Sequence, residues 1–338
     1  MLILICTVLM GAFLMTALLR KYALAKSLID VPNSRSSHTI PTPRGGGVAI
    51  VVCFLLSLVW MLFADVLDRS WALGLIGAGT GTAILGFLDD HGHIAARWRL
   101  LGHFAAATWL LIWTGGLPPL QAFGSTFDLG WLGHALAALY LVWMLNLYNF
   151  MDGIDGIASV EGICVCLGGG LLYWVSGENQ LIGVPLALAA AIAGFLVWNF
   201  PPAKIFMGDA GSGFLGLILG GLSIQAAYVS PPLFWSWLIL LGVFVVDATF
   251  TLVRRLIRGD KVYEAHRSHA YQYASRQFGR HLPVTLAVLV VNLIWLLPIS
   301  LVVGFGWLDG LLGVLIAYLP LLVLAIRFHA GRLEIESS

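Results

Sequence analysis

Residues 132–156 read LGHALAALYLVWMLNLYNFMDGIDG, an apolar run that ends in two closely spaced aspartates. The apolar part, 132–148, has the length of a membrane-spanning α-helix. Asp152 and Asp155 follow it directly, although an ionised carboxylate is costly at membrane depth and is by default a candidate functional group there. The stretch therefore predicts a membrane helix that brings acidic side chains to one membrane surface.

The composition of the whole chain is typical of an all-α polytopic membrane protein. Hydrophobic residues occupy 59% of the 338 positions and charged residues only 10%, and the mean hydropathy is +0.92. A soluble protein of this length needs a more highly charged surface. Long apolar runs predict about eleven transmembrane helices, at approximately 2–19, 46–64, 71–88, 99–115, 132–148, 157–176, 181–198, 213–229, 233–253, 283–303 and 307–326.

The basic residues predict the orientation of these helices. If the chain begins outside the cell, all but one of the 18 Lys and Arg residues fall in one set of loops, and Arg69 alone falls in the other. Cytoplasmic loops carry an excess of Lys and Arg, so this distribution predicts a periplasmic N-terminus and a cytoplasmic C-terminus. The first span is not expected to be a cleaved signal peptide, because Arg20 and Lys21 follow its apolar part instead of preceding it.

We expect one integral-membrane domain, 1–338, with five cytoplasmic loops near 20–45, 89–98, 149–156, 199–212 and 254–282. Three of these regions contain short acidic phrases, which are GFLDD (86–90), NFMDGIDG (149–156) and MGDAGSG (207–213). The orientation puts all three phrases on the cytoplasmic face. Mg²⁺ is commonly bound by one or two carboxylates together with substrate phosphates. The phrases therefore predict a site for divalent-metal phosphate chemistry.

The spacing within each phrase suits that chemistry. Adjacent carboxylates such as Asp89 and Asp90 can divide the work, one facing a cation and the other a proton or a phosphorus atom. Asp152 and Asp155 would share one face if they were helical, and the glycines beside them permit a tight turn. Asp209 precedes the small residues 211–213 at a predicted helix start, where free N–H groups can hold a phosphate.

Each of these patterns also has a structural explanation. The Asp89–Asp90 pair and Asp209 can cap helices, and the glycines 45–47 after Arg44 are balanced between helix packing and phosphate binding. His266 and His269, which lie among several arginines, can belong to a basic patch that attracts anionic lipids. Two further acids within spans, Glu161 and Asp247, are interpreted as structural groups.

Taken in order, GFLDD, NLYNFMDGIDGIA, MGDAGSGFLG and SHAYQ resemble the polyprenyl-phosphate N-acetylhexosamine-1-phosphate transferases, bacterial glycosyltransferase family 4. The resemblance covers most of the chain, from the loop with His38 and 43–47 to the histidine loop near 270. It implies that undecaprenyl phosphate reacts with a UDP-N-acetylhexosamine to give undecaprenyl-diphospho-sugar and UMP. It also implies a Mg²⁺ requirement, with Mn²⁺ as a substitute, and an active site on the cytoplasmic face of the bacterial inner membrane.

The resemblance assigns roles by position. Asp89 corresponds to the residue that deprotonates the lipid phosphate or attacks covalently, Asp90 lies beside it at the metal or phosphate, and Asp209 corresponds to the magnesium ligand. The residues assigned to nucleotide-sugar binding are Asn149, Asp152, Asp155, His38, Arg44, His266, Arg267 and His269. Membrane lipids are further expected partners, and no nucleic acid is expected.

One phrase departs from the family pattern. Relatives usually carry HxHH or HHH in the last large cytoplasmic loop, whereas this chain has His269 followed by Ala270, Tyr271 and Gln272. Tyrosine and glutamine can donate hydrogen bonds but are not cations near neutral pH. The departure favours the branch that initiates O-antigen over the alternative, the peptidoglycan phospho-MurNAc-pentapeptide translocase.

Two other classes of membrane protein place carboxylates in membrane helices. Secondary transporters bind substrates near the bilayer midplane, often between inverted repeats, but here the acids lie at one face and no repeat is visible. Intramembrane aspartyl proteases carry a Gly-x-Gly-Asp phrase, and the first glycine is replaced by Phe206. The transferase reading leaves the sugar open between GlcNAc and relatives such as FucNAc and QuiNAc, and one-step and covalent two-step transfer both remain open.

Overall fold

A computed structural model describes residues 1–32, 36–92, 94–261 and 266–332. Fourteen α-helices lie in these ranges: α1 (Leu2–Ala25), α2 (Val48–Phe63), α3 (Arg69–His91), α4 (Ala96–Thr114), α5 (Gly130–Met151), α6 (Ile157–Val175), α7 (Gly183–Asn199), α8 (Asp209–Val229), α9 (Pro231–Leu240), α10 (Gly242–Arg258), α11 (Ala270–Phe278), α12 (Leu282–Val291), α13 (Leu297–Gly304) and α14 (Gly310–Arg327). A π-helical segment, Asn292–Leu296, joins α12 to α13. Arg35, which was counted for the orientation, lies outside the described residues, as do parts of the predicted loops 20–45, 89–98 and 254–282.

Two short antiparallel hairpins accompany the helices. In the first, β1 (Ile29–Asp30) pairs with β2 (Thr42–Pro43), which brings the start of the 43–47 loop back to the end of α1. In the second, β3 (Leu120–Ala122) pairs with β4 (Ser125–Phe127) between α4 and α5. All other regular structure in the described ranges is helical.

The expectation of a polytopic helical membrane protein is confirmed. Every predicted span falls in a helical region, and among the described residues eight helical segments are long and apolar enough to cross a membrane. A ninth is counted if the bent pair α9–α10 is one span. Of the remaining two predicted spans, α2 is shorter, with 16 residues, and α4 starts with a basic turn that contains Arg97 and Arg99.

The predicted single span 233–253 is in fact two helices. The chain bends by 72° between α9 and α10. The two helices differ in character, because α9 consists of apolar residues and Ser236 whereas the last turn of α10 carries Arg255 and Arg258.

Helix α8 forms the centre of the bundle, and 89% of its 18-residue apolar stretch is buried inside the protein. Small residues let its neighbours approach closely. A Cβ on Gly216 would lie 2.3 Å from the backbone oxygen of Met144 in α5. A Cβ on Gly86 of α3 would lie 2.6 Å from the backbone of Asp209 and Ala210. Membrane helices associate through such small-residue contacts, and here they bring the ends of α3, α5 and α8 together.

Gly86→Ala is expected to lower the thermal midpoint of unfolding of the detergent-solubilised protein. The expected loss in the free energy of unfolding is about 1–3 kcal/mol. The added methyl group would overlap backbone atoms, which cannot move without separating α3 from α8. Gly81→Ala is the matched control, because it lies on the same helix and a Cβ there meets no atom within 4 Å. Equal midpoints for the two variants would contradict the close packing described above.

Candidate active site

The three acidic phrases meet at one end of the bundle, around a cavity of about 370 Å³. We call it the polar cavity. Helix α3 contributes Asp90, the end of α5 contributes Asn149 and Asp152, and the start of α8 contributes Asp209. Seven residues from the predicted site line this cavity: His38, Arg44, Asp90, Asn149, Asp152, Asp155 and Asp209.

Asp90 is held at the inner wall of the polar cavity. Its Oδ2 accepts a hydrogen bond from the Ala210 N–H at 3.3 Å. Arg44 donates from Nη2 to the backbone oxygen of Asp90, and its Nε lies 4.0 Å from Asp90 Oδ1. Gly208, with φ +79°, makes room, because a Cβ there would lie 2.7 Å from Asp90 Oδ2. The carboxylate is therefore fixed in position beside Asp209.

Asp209 is oriented by the end of α5. The Asn149 side-chain amide donates to Asp209 Oδ1 and to Ser212 Oγ, each at 2.9 Å. Asp209 Oδ2 lies 4.0 Å from Arg99 Nη1 on the other side. Asn149 thus holds the Asp209 carboxylate in position.

Asp89 points to a second cavity, of about 440 Å³, which we call the apolar cavity. Its Oδ1 accepts a hydrogen bond from the Ile94 N–H at 2.8 Å, and its Oδ2 lies 2.5 Å from Arg99 Nη1. Asn149 and Asp209 line both cavities. The two adjacent aspartates therefore face different spaces that meet at Asp209.

Arg99 was not among the predicted site residues. It lies on α4 and contacts Asp89 and Asp209, which belong to two different acidic phrases. The sequence gives only a weak indication of a role for Arg99, which is a charged residue at the first position of the predicted span 99–115. Arginine is well suited to bind a phosphate through its planar set of donors, and the Arg99 side chain remains 34% exposed beside the two carboxylates.

Asp152 is the least compensated acid of the group. Its carboxylate forms no hydrogen bond or ion pair with any described residue. Burial and the negative charges of Asp209, Asp90 and Asp155 raise the pKa of Asp152 well above its usual range. Bringing these carboxylates together is unfavourable unless a cation compensates them.

The donor set fits a divalent cation of the Mg²⁺ type. Asp90, Asp152 and Asp209 offer carboxylate oxygens to one cavity, together with the side-chain oxygen of Asn149. Within the described ranges no group of three or more His, Cys, Asp or Glu side chains is arranged to hold a metal ion. Mg²⁺ needs only one or two carboxylates, because it retains waters and takes substrate phosphates as further ligands.

Asp155 has a different environment from the one predicted for it. Residues 152–156 are not helical, so Asp152 and Asp155 do not share a helix face, and Gly156 with φ +74° allows the turn. Asp155 Oδ2 accepts a hydrogen bond from the Ala203 N–H at 3.0 Å, and Oδ1 lies 3.1 Å from His281 Nδ1. Asp155 therefore connects three segments at the rim.

His281 completes this connection at the cavity rim. Its Nε2 lies 3.0 Å from the backbone oxygen of Ser37. Burial alone would lower the pKa of His281, but the hydrogen bond and charge of Asp155 and the Ser37 carbonyl raise it. The ring joins the loop before β2 to the start of α12.

The glycine segments serve packing. Gly46 and Gly47 donate their N–H groups to the carbonyls of Phe206 and Met207, at 2.9 and 2.8 Å. A Cβ on Gly47 would lie 2.6 Å from Gly211 Cα. Residues 211 and 212 donate their N–H groups to the Gly208 carbonyl, so the free N–H groups predicted after Asp209 are not available for a phosphate.

A third cavity, of about 540 Å³, adjoins the polar cavity and shares His38, Phe206 and His281 with it. His38 packs edge-on against Phe206, with ring centroids 4.8 Å apart. Its Nε2 is buried and has no hydrogen-bond partner among the described residues. Arg276 and Arg280 lie on the far wall. This space offers an aromatic surface and donors beside the polar cavity.

The histidine loop lies behind these cavities. His266, Arg267 and His269, all predicted to bind the nucleotide sugar, line none of the three cavities just described. His269 Nδ1 lies 3.3 Å from Asp247 Oδ1. Burial, together with the nearby His269 and Arg255, lowers the pKa of His266 to about 3. Its neutral ring then interacts with the Ser268 hydroxyl at 2.9 Å.

The residues that replace the missing histidines hold the loop in place. Tyr271 donates its hydroxyl proton to the Phe150 carbonyl at 2.9 Å. Gln272 Oε1 accepts a hydrogen bond from the His269 N–H at 3.2 Å, and Gln272 also lines the polar cavity. Asp247 accepts the Ala270 N–H at 3.0 Å, as expected for a structural acid. The other such acid, Glu161, accepts from the Asn292 amide at 2.7 Å.

Comparison with known proteins gives consistent matches. Residues 72–227 match glycosyl transferase family 4. The chain is 30% identical to a probable undecaprenyl-phosphate N-acetylglucosaminyl 1-phosphate transferase of Bacillus subtilis, over 85% of this chain and 79% of the relative. It is 28% identical to an undecaprenyl-phosphate α-N-acetylglucosaminyl 1-phosphate transferase of Thermotoga maritima, over 82% and 83%. A phospho-N-acetylmuramoyl-pentapeptide-transferase of Moorella thermoacetica is 34% identical, over 64% and 73%.

Proposed function

Because the chain belongs to glycosyl transferase family 4, the polyprenyl-phosphate hexosamine-1-phosphate transferases, we propose that it joins an N-acetylhexosamine 1-phosphate to undecaprenyl phosphate. The donor is a UDP-sugar, and UMP is released. The chain is thus a phosphoglycosyltransferase. The observation that best supports this assignment is the junction of a polar and an apolar cavity at Asp209. Such a junction suits one water-soluble and one lipid substrate.

The apolar cavity suits the lipid acceptor. Its walls include Leu100, Phe104, Leu139 and Trp143, and Arg99 lies with the acids at one end. An isoprenoid chain can lie along this wall without leaving apolar surroundings, since lipid tails are as apolar as these side chains. Its phosphate then lies beside Arg99. The acceptor phosphate reaches the junction while its chain stays among apolar side chains.

The polar cavity and the third cavity suit the UDP-sugar. Arg44 and His38 face an anionic diphosphate, and Phe206 offers a flat surface for a nucleobase. Asp209 and Asp90 would hold Mg²⁺, which would offset the charge of the two phosphate groups that approach each other. The donor and the acceptor would then meet at Asp209.

The proposed step is a displacement at the β-phosphorus of the UDP-sugar. An oxygen of the lipid phosphate forms a bond to that phosphorus, the bond between the β-phosphorus and the bridging oxygen breaks, and UMP leaves with that oxygen. Asp89, which faces the apolar cavity, accepts the remaining proton of the lipid phosphate. Arg99 holds both Asp89 and the phosphate, so catalysis rests mainly on positioning and charge.

Purified protein is expected to release UMP from a UDP-N-acetylhexosamine only when undecaprenyl phosphate is present with Mg²⁺ or Mn²⁺. Chelation with EDTA should abolish release, and added Mg²⁺ should restore it, because the acids at the junction need a cation to accept a diphosphate. A donor panel should include UDP-GlcNAc, UDP-FucNAc, UDP-QuiNAc and UDP-MurNAc-pentapeptide. No UMP from any donor would refute the proposal.

The biological step proposed is the first membrane step of O-antigen, or a related surface polysaccharide, at the inner membrane. The Tyr271–Gln272 departure supports this branch over peptidoglycan synthesis, and turnover of UDP-MurNAc-pentapeptide alone would favour the latter. We place the active site on the cytoplasmic face, with eleven spans and a periplasmic N-terminus. Substrate flux in proteoliposomes without UMP formation would instead support a transporter.

A further inference from the structure

The end of α14 continues into a partly buried turn, residues 328–331, which we call the C-terminal turn. His329 and Gly331 have left-handed backbone angles, with φ +56° and +72°. Ala330 between them is fully buried, and its N–H donates to the Ala325 carbonyl at 2.9 Å. Ala330 also packs in one small cluster with Ala270, the first residue of α11. The turn is therefore an ordered part of the fold next to the histidine loop.

A direct hydrogen bond joins the C-terminal turn to the histidine loop. The Gly331 N–H donates to the Ser268 carbonyl at 2.7 Å. Ser268 lies between the two predicted site histidines of the loop, and its hydroxyl contacts His266. The next residue, His269, donates its N–H to Gln272, which lines the polar cavity. The turn is therefore connected to the wall of that cavity through a short series of contacts.

Two arginines of α10 fix the turn from the other side. Arg254 Nη1 donates to the Ala330 carbonyl at 3.0 Å, and Arg258 Nη1 donates to the Gly331 carbonyl at 2.6 Å. The approach is close, since a Cβ on Gly331 would lie 3.0 Å from Arg254 Cβ. Hydrogen bonds from charged donors are stronger than neutral ones. The turn is thus held between α10 and the histidine loop.

We propose that the C-terminal turn and Arg254 are positioning elements for the nucleotide-sugar site. The turn fixes the backbone of Ser268, which sets the position of His269 and, through the His269 N–H, that of Gln272 at the polar cavity. Only one histidine of the usual phrase is present here, so the loop depends on these backbone contacts for its placement. This inference rests on the proposed donor site.

Arg254→Met removes the donor to Ala330 and retains most of the apolar stem. We expect the KM for the UDP-sugar to rise about tenfold, a factor typical of losing one charge-assisted hydrogen bond. The value of kcat and the KM for undecaprenyl phosphate should stay within about twofold of wild type, because neither the acids nor Arg99 move. Arg254→Lys keeps a charged donor and should recover most of the lost affinity.

Arg332→Met is the matched control, since it removes one positive charge from an exposed side chain that has no hydrogen bond or ion pair among the described residues. A purely structural role would lower the thermal midpoint and kcat of Arg254→Met and leave the KM unchanged, and this result would overturn the proposal. So would an equal rise in KM for Arg332→Met, or no rise in either variant.

A binding measurement separates this inference from the proposed function. The upward shift of the thermal midpoint caused by UDP-N-acetylglucosamine needs no turnover. It should require about tenfold more nucleotide sugar in Arg254→Met than in wild type. If wild type binds the nucleotide sugar but releases no UMP, the proposed function fails while the positioning inference is still tested. If the thermal midpoint of Arg254→Met rises with nucleotide-sugar concentration in the same way as that of wild type, the inference is refuted.

Discussion

Asp209→Asn is expected to reduce UMP release by roughly 10³-fold, with loss of the response to added Mg²⁺, because charge stabilisation at a transferring phosphoryl group contributes several kcal/mol. Asn149 and Ser212 lie beside Asp209 at the start of α8. The amide has nearly the same shape as the carboxylate, so the fold should persist. Titration of initial rates with Mg²⁺ in both proteins measures the effect.

The control for this variant is Asp65→Asn. Asp65 is exposed, carries the same charge and has φ +52°, a conformation that asparagine tolerates. It follows α2, and its side chain contacts no described residue through a hydrogen bond or ion pair. Wild-type rates are expected for it. If Asp209→Asn also kept a normal rate and normal metal dependence, Asp209 would not be the magnesium ligand.

Arg99→Met is expected to lower kcat/KM for undecaprenyl phosphate by roughly 10²-fold, since it leaves the buried Asp89 carboxylate without the charge that compensates it. The Asp89 side chain is only 7% exposed, and Arg99 is its ionic partner among the described residues. The substitution removes the proposed phosphate contact and also disturbs Asp89. Initial rates at varied acceptor and saturating UDP-sugar measure this effect.

Two companion variants make the Arg99 result specific. Arg99→Lys should recover part of the activity, because lysine keeps the charge but lacks the planar pair of donors. Arg97→Met, on the same helix turn, removes an exposed arginine whose guanidinium lies over the Trp98 ring, and it should behave as wild type. Equal losses for Arg97→Met and Arg99→Met would indicate a general effect of charge at the membrane surface.

The acidic cluster could be predicted from the sequence because its residues lie in short phrases at the ends of apolar runs. Length and hydropathy locate such runs, and the ends of neighbouring helices meet at one surface. Arg99 could not be identified in this way. Its partners, Asp89 and Asp209, are brought to it by the packing of α3, α4 and α8, and pattern arguments do not describe that packing.

The roles of Asp155 and of the histidine loop show a second limit of sequence reasoning. Asp155 is predicted to bind the nucleotide sugar and lines the polar cavity, and its carboxylate also contacts Ala203 and His281. His269 interacts with Asp247, which is 22 residues away in the chain. Short motifs identify residue types suited to a reaction, but they do not say which side chain faces the substrate and which supports its neighbour.

The bend between α9 and α10 was also missed, for a related reason. Hydropathy averaged over 233–253 is high enough for one span, although Asp247 and Arg254 belong to a helix of different direction. Averages conceal the point where an apolar helix becomes amphipathic. The positions of Arg254, Arg255 and Arg258 in α10 indicate that this part of the run is amphipathic.

The glycine contacts at the end of the bundle have a mechanical consequence. A change in bilayer thickness tilts membrane helices at modest cost. At Gly86 and at Gly47 the backbones of neighbouring segments touch, so there is no side-chain layer that can be compressed or expanded. Tilting would then pivot about these contacts and spread the opposite ends of the helices. We expect the spacing of the acids to stay constant among membranes of different thickness.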